Sequence, residues 1–260
     1  QEPGEDEEIH LTILDGAGEE GRNFSSDPAH EDDPELSTDA GMNEFVWDLR
    51  YPPLELPEGV MDYMGYSGGP TVVPGDFQVR LTAGDWSDTE PLTVRKDPRL
   101  PEATAADLRE QRDFGFQIRD RLQQTYDALR TIQSVREQSM AVSEKAEEGG
   151  FGDELKSMAD SLVASLEEVE TELYQTKAES GQDMINFPPQ LANQITYLYG
   201  RMAPAYGPPT AQERERLQEL EAELAELRGA LQSILDTELA AFNARVRELG
   251  VAPVVVPEGG

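Results

Sequence analysis

Two hydrophobic rhythms divide the chain. Up to about residue 100 apolar residues alternate with polar ones, and beyond it they recur at steps of three and four. Glu8–Asp15 puts Ile9, Leu11 and Ile13 on one face of a strand, and Arg22–Ser26 continues as another. In the stretch Gly41–Pro52, Phe45, Trp47 and Leu49 alternate with Val46, Asp48 and Arg50. This predicts a strand over Glu44–Arg50 at the centre of the core, with Asp48 and Arg50 paired on its other face. Asp76–Leu81 aligns Phe77, Val79 and Leu81, Thr82–Glu90 reads as a turn region, and Pro91–Lys96 turns Leu92 and Val94 inward. Five to seven short strands separated by turn residues predict an immunoglobulin- or fibronectin-like β-sandwich over residues 1–101.

Prolines at 98 and 101 mark the change of rhythm. Thr104–Asp107 has the form of a capping box with Asp in place of Glu. From there Leu108, Phe114, Ile118, Leu122, Tyr126, Leu129, Ile132 and Val135 form one stripe of a long helix, stopped by Gly149-Gly150. Leu155, Met158, Leu162, Leu166, Val169 and Leu173 predict a second helix over Asp153–Lys177. A shorter one follows Pro188-Pro189, with Ile195, Leu198 and Tyr199 inward. Thr210-Ala211-Gln212-Glu213 is a full capping box opening a helix over Ala211–Leu249, with Gly250 just past its end. Single apolar stripes on three long helices and one short one predict an antiparallel bundle over residues 102–250. Several compatible stripes in one chain favour a monomer over a coiled-coil oligomer. Residues 251–260 are a tail in which Val254–Val256 suggests one more strand. The fold class is therefore α+β by domain.

Charge changes the picture more than apolar content does. The chain holds 53 acidic and 21 basic residues, a net charge of −32, and only four lysines. The acids are spread along its whole length. Such a field opposes phosphate backbones and anionic lipid, so nucleic acid is not an expected partner. No apolar run reaches the length of a membrane span, so no membrane insertion is expected. Acidity distributed in this way suits a protein working in high salt. The chain opens on Gln1 without an initiator Met, and the expectation is a piece of a longer protein.

Candidate chemistry is sparse. With no cysteine there is no thiol nucleophile, and with two histidines, His10 in a strand and His30 in an acidic loop, a histidine-centred mechanism is poorly supplied. Gly16-Ala17-Gly18-Glu19-Glu20-Gly21 has the letters of a dinucleotide fingerprint. Its two glutamates and the strand that follows identify a hairpin turn instead. Asp32, Asp33, Glu35 and Asp39 offer oxygen ligands of the kind calcium takes, without EF-hand spacing, and a solvated acidic loop is the default. Tyr51, Tyr63, Tyr66 and Trp86 could stack on sugars. The residues predict no enzyme and no cofactor.

Four blocks carry a family resemblance: Ala40–Pro52; Gly69-Pro70 with Pro74–Leu81; Val94–Arg99; and Pro209–Gln212. Together they resemble the C-terminal region of secreted bacterial proteins built on a sortilin-type β-propeller, often labelled glycosyl-hydrolase-like or exo-sialidase-like. The resemblance implies a sandwich and helical tail that follow the propeller. It implies a secreted, periplasmic or cell-surface location, and partners in the upstream propeller, another protein or carbohydrate. Any hydrolase site would lie in that propeller, since the Ser-x-Asp-x-Gly-x-x-Trp repeats of sialidase-like blades do not occur here. The implied role is a non-catalytic interaction or spacer module. A carbohydrate-binding sandwich and an oligomerising helical adaptor are the alternatives.

Overall fold

A computed structural model describes residues 8–28, 34–61, 68–148, 152–178, 180 and 182–257. The fold is α+β, an antiparallel four-stranded sheet followed by helices. It divides into two compact units: Gln1–Leu54, Gly68–Phe116 and Ala203–Pro209 form unit one, and Glu55–Ser67, Gln117–Met202 and Thr210–Gly260 form unit two.

In unit one, β1 (Ile9–Leu14), β2 (Glu20–Ser25), β3 (Gly75–Ala83) and β4 (Trp86–Val94) lie in the order β2-β1-β3-β4. Asp15 builds the β1–β2 turn. Its Oδ1 accepts the Ala17 and Glu19 N–H groups at 2.8 and 2.9 Å, and Gly18 takes a positive φ of 85°. The glycine-rich stretch is thus a hairpin turn, as its glutamates indicated. Gly84 opens the two-residue β3–β4 turn in the left-handed region.

Cross-strand partners share a face. One face carries Leu11 opposite Phe24 and Leu81, Ile13 opposite Arg22 and Val79, and Phe77 opposite Leu92. Ile13, Phe24 and Leu36 form its buried centre, with Phe45, Trp47, Phe77 and Val79 packed around them. The other face is polar, and Thr12 there donates to Asn23 Oδ1 at 3.0 Å.

The expected central strand over Glu44–Arg50 does not form. Phe45 and Trp47 do turn toward the sheet, through ring contacts with Phe24 and Phe77 at 4.5 and 5.9 Å. Leu49 does not join them: it is 38% exposed and sits at φ 61°, so the alternation ends in a turn. The segment runs over the sheet as a layer of its own, and its one β-type pairing among the described residues is the isolated bridge Arg50–Thr71, outside the four strands. Among the described residues the sheet has four strands, fewer than the alternation implied. The turn region expected over Thr82–Glu90 narrows to Gly84-Asp85: β4 includes the expected Leu92 and Val94 but begins at Trp86, which the pattern missed because Trp86–Pro91 are exposed, and Pro91 suits an edge strand.

Helix α1 (Ala105–Glu148) begins at a reciprocal box. Thr104 N–H and Oγ1 donate to Asp107 Oδ2 at 2.9 and 2.7 Å, and Asp107 N–H returns to Thr104 Oγ1 at 3.1 Å. Those Thr104 bonds hold the Asp107 carboxyl below its ordinary pKa. Just ahead, the Arg99 guanidinium on Asp97 lowers that carboxyl to about 2.

Unit two takes the rest of α1, α2 (Gly152–Leu173), α3 (Leu191–Met202), α4 (Ala211–Ile234) and α5 (Ala240–Glu248). Nearly every stripe residue is buried, Ile132, Val135, Leu155, Leu166, Leu173, Ile195 and Leu220 almost completely. Helices α1 and α4 run in the same direction, since Arg121 meets Glu221 and Gln124 meets Arg228. Helix α2 opposes α5, with Glu154 on Arg245. The Thr210/Glu213 capping box is complete.

A π turn over Leu235–Leu239 joins α4 to α5 within one continuous run. Leu227, Leu231, Leu235 and Leu239 succeed one another at steps of four. Each such step overshoots a turn of ~3.6 residues, so three of them would swing the stripe off the core. One wider turn absorbs the excess and returns Leu239, Phe242 and Val246 inward.

No strand forms at Val254–Val256. Two side-chain amides grip this extended tail instead. Asn243 bonds both main-chain groups of Val254 at 2.7 and 2.9 Å, and Gln138 does the same for Val255 at 2.9 and 2.8 Å. Of the three valines only Val254 is buried, while Val255 and Val256 are exposed, so the apolar run reported one anchoring side chain rather than a strand.

Candidate functional site

The predicted site residues scatter. Asp32, Asp33, His30, Tyr63 and Tyr66 lie outside the described residues. Glu35 and Asp39 are exposed, and no group of three potential metal ligands occurs among the described residues. His10 stands on the polar sheet face beside Asn23. Tyr51 is half-buried, its ring edge-on to Phe116 at 4.9 Å, which leaves Trp86 as the open aromatic among the described members of the proposed sugar platform.

Asp48 and Arg50 do not pair with each other. The turn at Leu49 brings the Arg50 N–H onto Asp48 Oδ1 at 3.0 Å and sends the guanidinium to Gly69 O at 3.1 Å. Around it Trp47 Nε1 donates to Arg50 O, Arg22 to Tyr51 O, Tyr51 N–H to Pro70 O and Val72 N–H to Leu49 O. This is a structural clamp that fastens the covering layer to the sheet. These bonds hold main-chain groups of the layer in place, so the role they show is positional.

Two surfaces stand out among the described residues. The first is on unit one, where the covering layer stops short of one end of the apolar sheet face. There Leu81 and Trp86 are 38% and 53% exposed. Asp88 and Glu90, opposite Leu81 and Val79, share the face and give the patch an acidic rim.

The second surface is a groove of about 570 Å³ on unit two, between α3 and the first turns of α4. Gln194, Tyr197 and Arg201 line it from α3 at steps of three and four, and Gln212, Glu213 and Arg216 line it from α4. Pro189, Asn193 and Leu198 complete the wall. Sequence reasoning missed this site because it followed the inward stripe of Ile195, Leu198 and Tyr199. The overlooked signal was an aromatic, Tyr197, on the polar face of a short helix ending in an arginine.

No helix of the described residues is long and apolar enough to cross a membrane. No protein-family model, curated protein or solved structure matches the chain.

Proposed function

We propose that this chain is a non-catalytic interaction and spacer module of a larger secreted, periplasmic or cell-surface β-propeller protein, its acidic surface suited to high salt. In this reading unit one is a reduced relative of a β-sandwich, with the Leu36–Leu54 layer in place of a second sheet, and the helices are an antiparallel bundle that acts as spacer. The observation that carries it is the uncovered end of the apolar sheet face. A large aromatic and a leucine left open beside acidic residues are what a docking surface needs: an apolar centre with a charged rim. The matching partner presents an apolar pocket edged with arginine or lysine, and the upstream propeller of the resembled proteins is the candidate.

The test is calorimetric titration of this chain with the propeller segment encoded upstream of Gln1. Binding that Trp86→Ser weakens at least ~10-fold is expected, as for a central aromatic anchor. An upstream sequence without a propeller, or binding indifferent to Trp86→Ser, would remove the proposal. Glycan binding lost on Trp86→Ala, with no propeller binding, would favour the carbohydrate alternative.

A further inference from the structure

The groove between α3 and α4 is built from donors that the protein leaves unspent. Asn193 is 3% exposed, and its Oδ1 accepts the main-chain N–H of Gln190 at 3.2 Å. A main-chain N–H must meet the amide oxygen, which fixes the orientation of the side chain and leaves its NH2 at the groove wall. No partner for that NH2 occurs among the described residues. Arg201, exposed in the last turn of α3, likewise has no ion-pair or hydrogen-bond partner among them.

The acids nearby do not answer these donors. The Glu213 carboxylate accepts from Thr210 N–H and Oγ1 at 2.7 and 2.9 Å, and Glu219 holds Arg216 at 2.5 Å. Arg216 also donates to Gln194 Oε1, while Gln194 Nε2 is used by Pro189 O at 3.1 Å. Glu213 and Glu219 are thus held by groups of the protein itself, and acids farther off than ~10 Å are screened at moderate salt. The amide of a buried asparagine and a guanidinium unpaired among the described residues therefore line one cavity. Tyr197, 52% exposed, and Leu198 give that cavity a flat apolar wall.

We infer that this groove binds a small carboxylate with a flat or apolar body. Arg201 and Asn193 receive the carboxylate oxygens, and Tyr197 lies against the body of the ligand. A volume of about 570 Å³ falls in the range of small-molecule sites. Both an aromatic acid and a sugar acid have this chemistry. The site stands apart from the docking surface of unit one and does not depend on it.

The experiment is an amide-resonance titration of the full chain with benzoate, glucuronate and the neutral analogue benzamide. Saturable shifts confined to residues 189–201 and 212–216 are expected, with a Kd on the order of 1 mM for a fragment. Benzamide should bind at least ~10-fold more weakly, and Arg201→Gln should weaken the acids by a similar factor, as loss of a charged hydrogen bond does. Tyr197→Ala should weaken benzoate and benzamide alike. Benzoate binding alone assigns an aromatic acid, and glucuronate binding alone a sugar acid. Arg201 is exposed and has no partner among the described residues, so its replacement leaves folding intact. No saturation with either acid by ~20 mM, or an Arg201→Gln Kd within ~2-fold of the parent, would overturn the inference.

Discussion

At the scale of single residues, the sharpest constraint is at Gly69. A Cβ placed there would stand 2.0 Å from Tyr51 O and 2.6 Å from Pro52 O, both main-chain atoms with little room to give. The close approach exists because the Arg50 guanidinium reaches Gly69 O and Tyr51 N–H reaches Pro70 O. Gly69→Ala must therefore break the clamp that holds Phe45 and Trp47 over the sheet. Overpacking of this kind costs about 1–3 kcal/mol or more. Thermal unfolding should show a clear fall in Tm, together with a red shift of tryptophan emission as Trp47 is released. An unchanged Tm would mean the two segments are not joined as described. Sequence showed that Phe45 and Trp47 face inward, because alternation reports side-chain direction. It did not show the turn at Leu49, because a leucine at φ 61° obeys no pattern of residue type.

At the scale of elements, helices were more legible than strands. Their stripes repeat over many turns, and both capping boxes closed as their letters implied. Polar burial was hidden, because periodicity counts only apolar positions. Glu170, 8% exposed on α2, meets Arg136 of α1 through two guanidinium nitrogens. Both partners leave water, so their mutual attraction is largely offset by desolvation. Removing one partner alone strands a buried charge. Arg136→Ala should cost about 3–5 kcal/mol, whereas the double replacement Arg136→Met/Glu170→Leu should come within about 1–2 kcal/mol of the parent. Urea midpoints of the two variants check this, and equal losses would show that the pair contributes packing rather than charge. The groove between α3 and α4 was illegible for a related reason. Its residues come from two helices that are brought together by packing, with the Gln194–Arg216 bond across the groove, and no spacing within one segment reports that.

At the scale of the whole molecule, charge sets the expectation. Ion pairs such as Arg121–Glu221 and Arg245–Glu154 stabilise the helices of unit two, and salt weakens them. Repulsion among the acids acts the other way, and salt relieves it. The numbers decide which wins. With 53 acids against 21 bases, 32 carboxylates lack a countercharge even if every base is paired. Exposed pairs are worth only about 0–1 kcal/mol each, so screening them loses little. Relief of the surplus should therefore dominate. The Debye length falls from ~10 Å at 0.1 M to ~3 Å at 1 M, so most of the gain should come below ~1 M. We expect Tm to rise by roughly 5 °C or more between ~0.1 M and ~1 M sodium chloride, equivalent to about 1–2 kcal/mol in a domain of this size. Potassium chloride should do the same, because screening does not depend on the cation. A rise that continues unabated above ~1 M and appears only with sulfate would report exclusion of salt from the surface instead. A flat or falling Tm would show that the ion pairs outweigh the repulsion, and the high-salt reading of this surface would be abandoned.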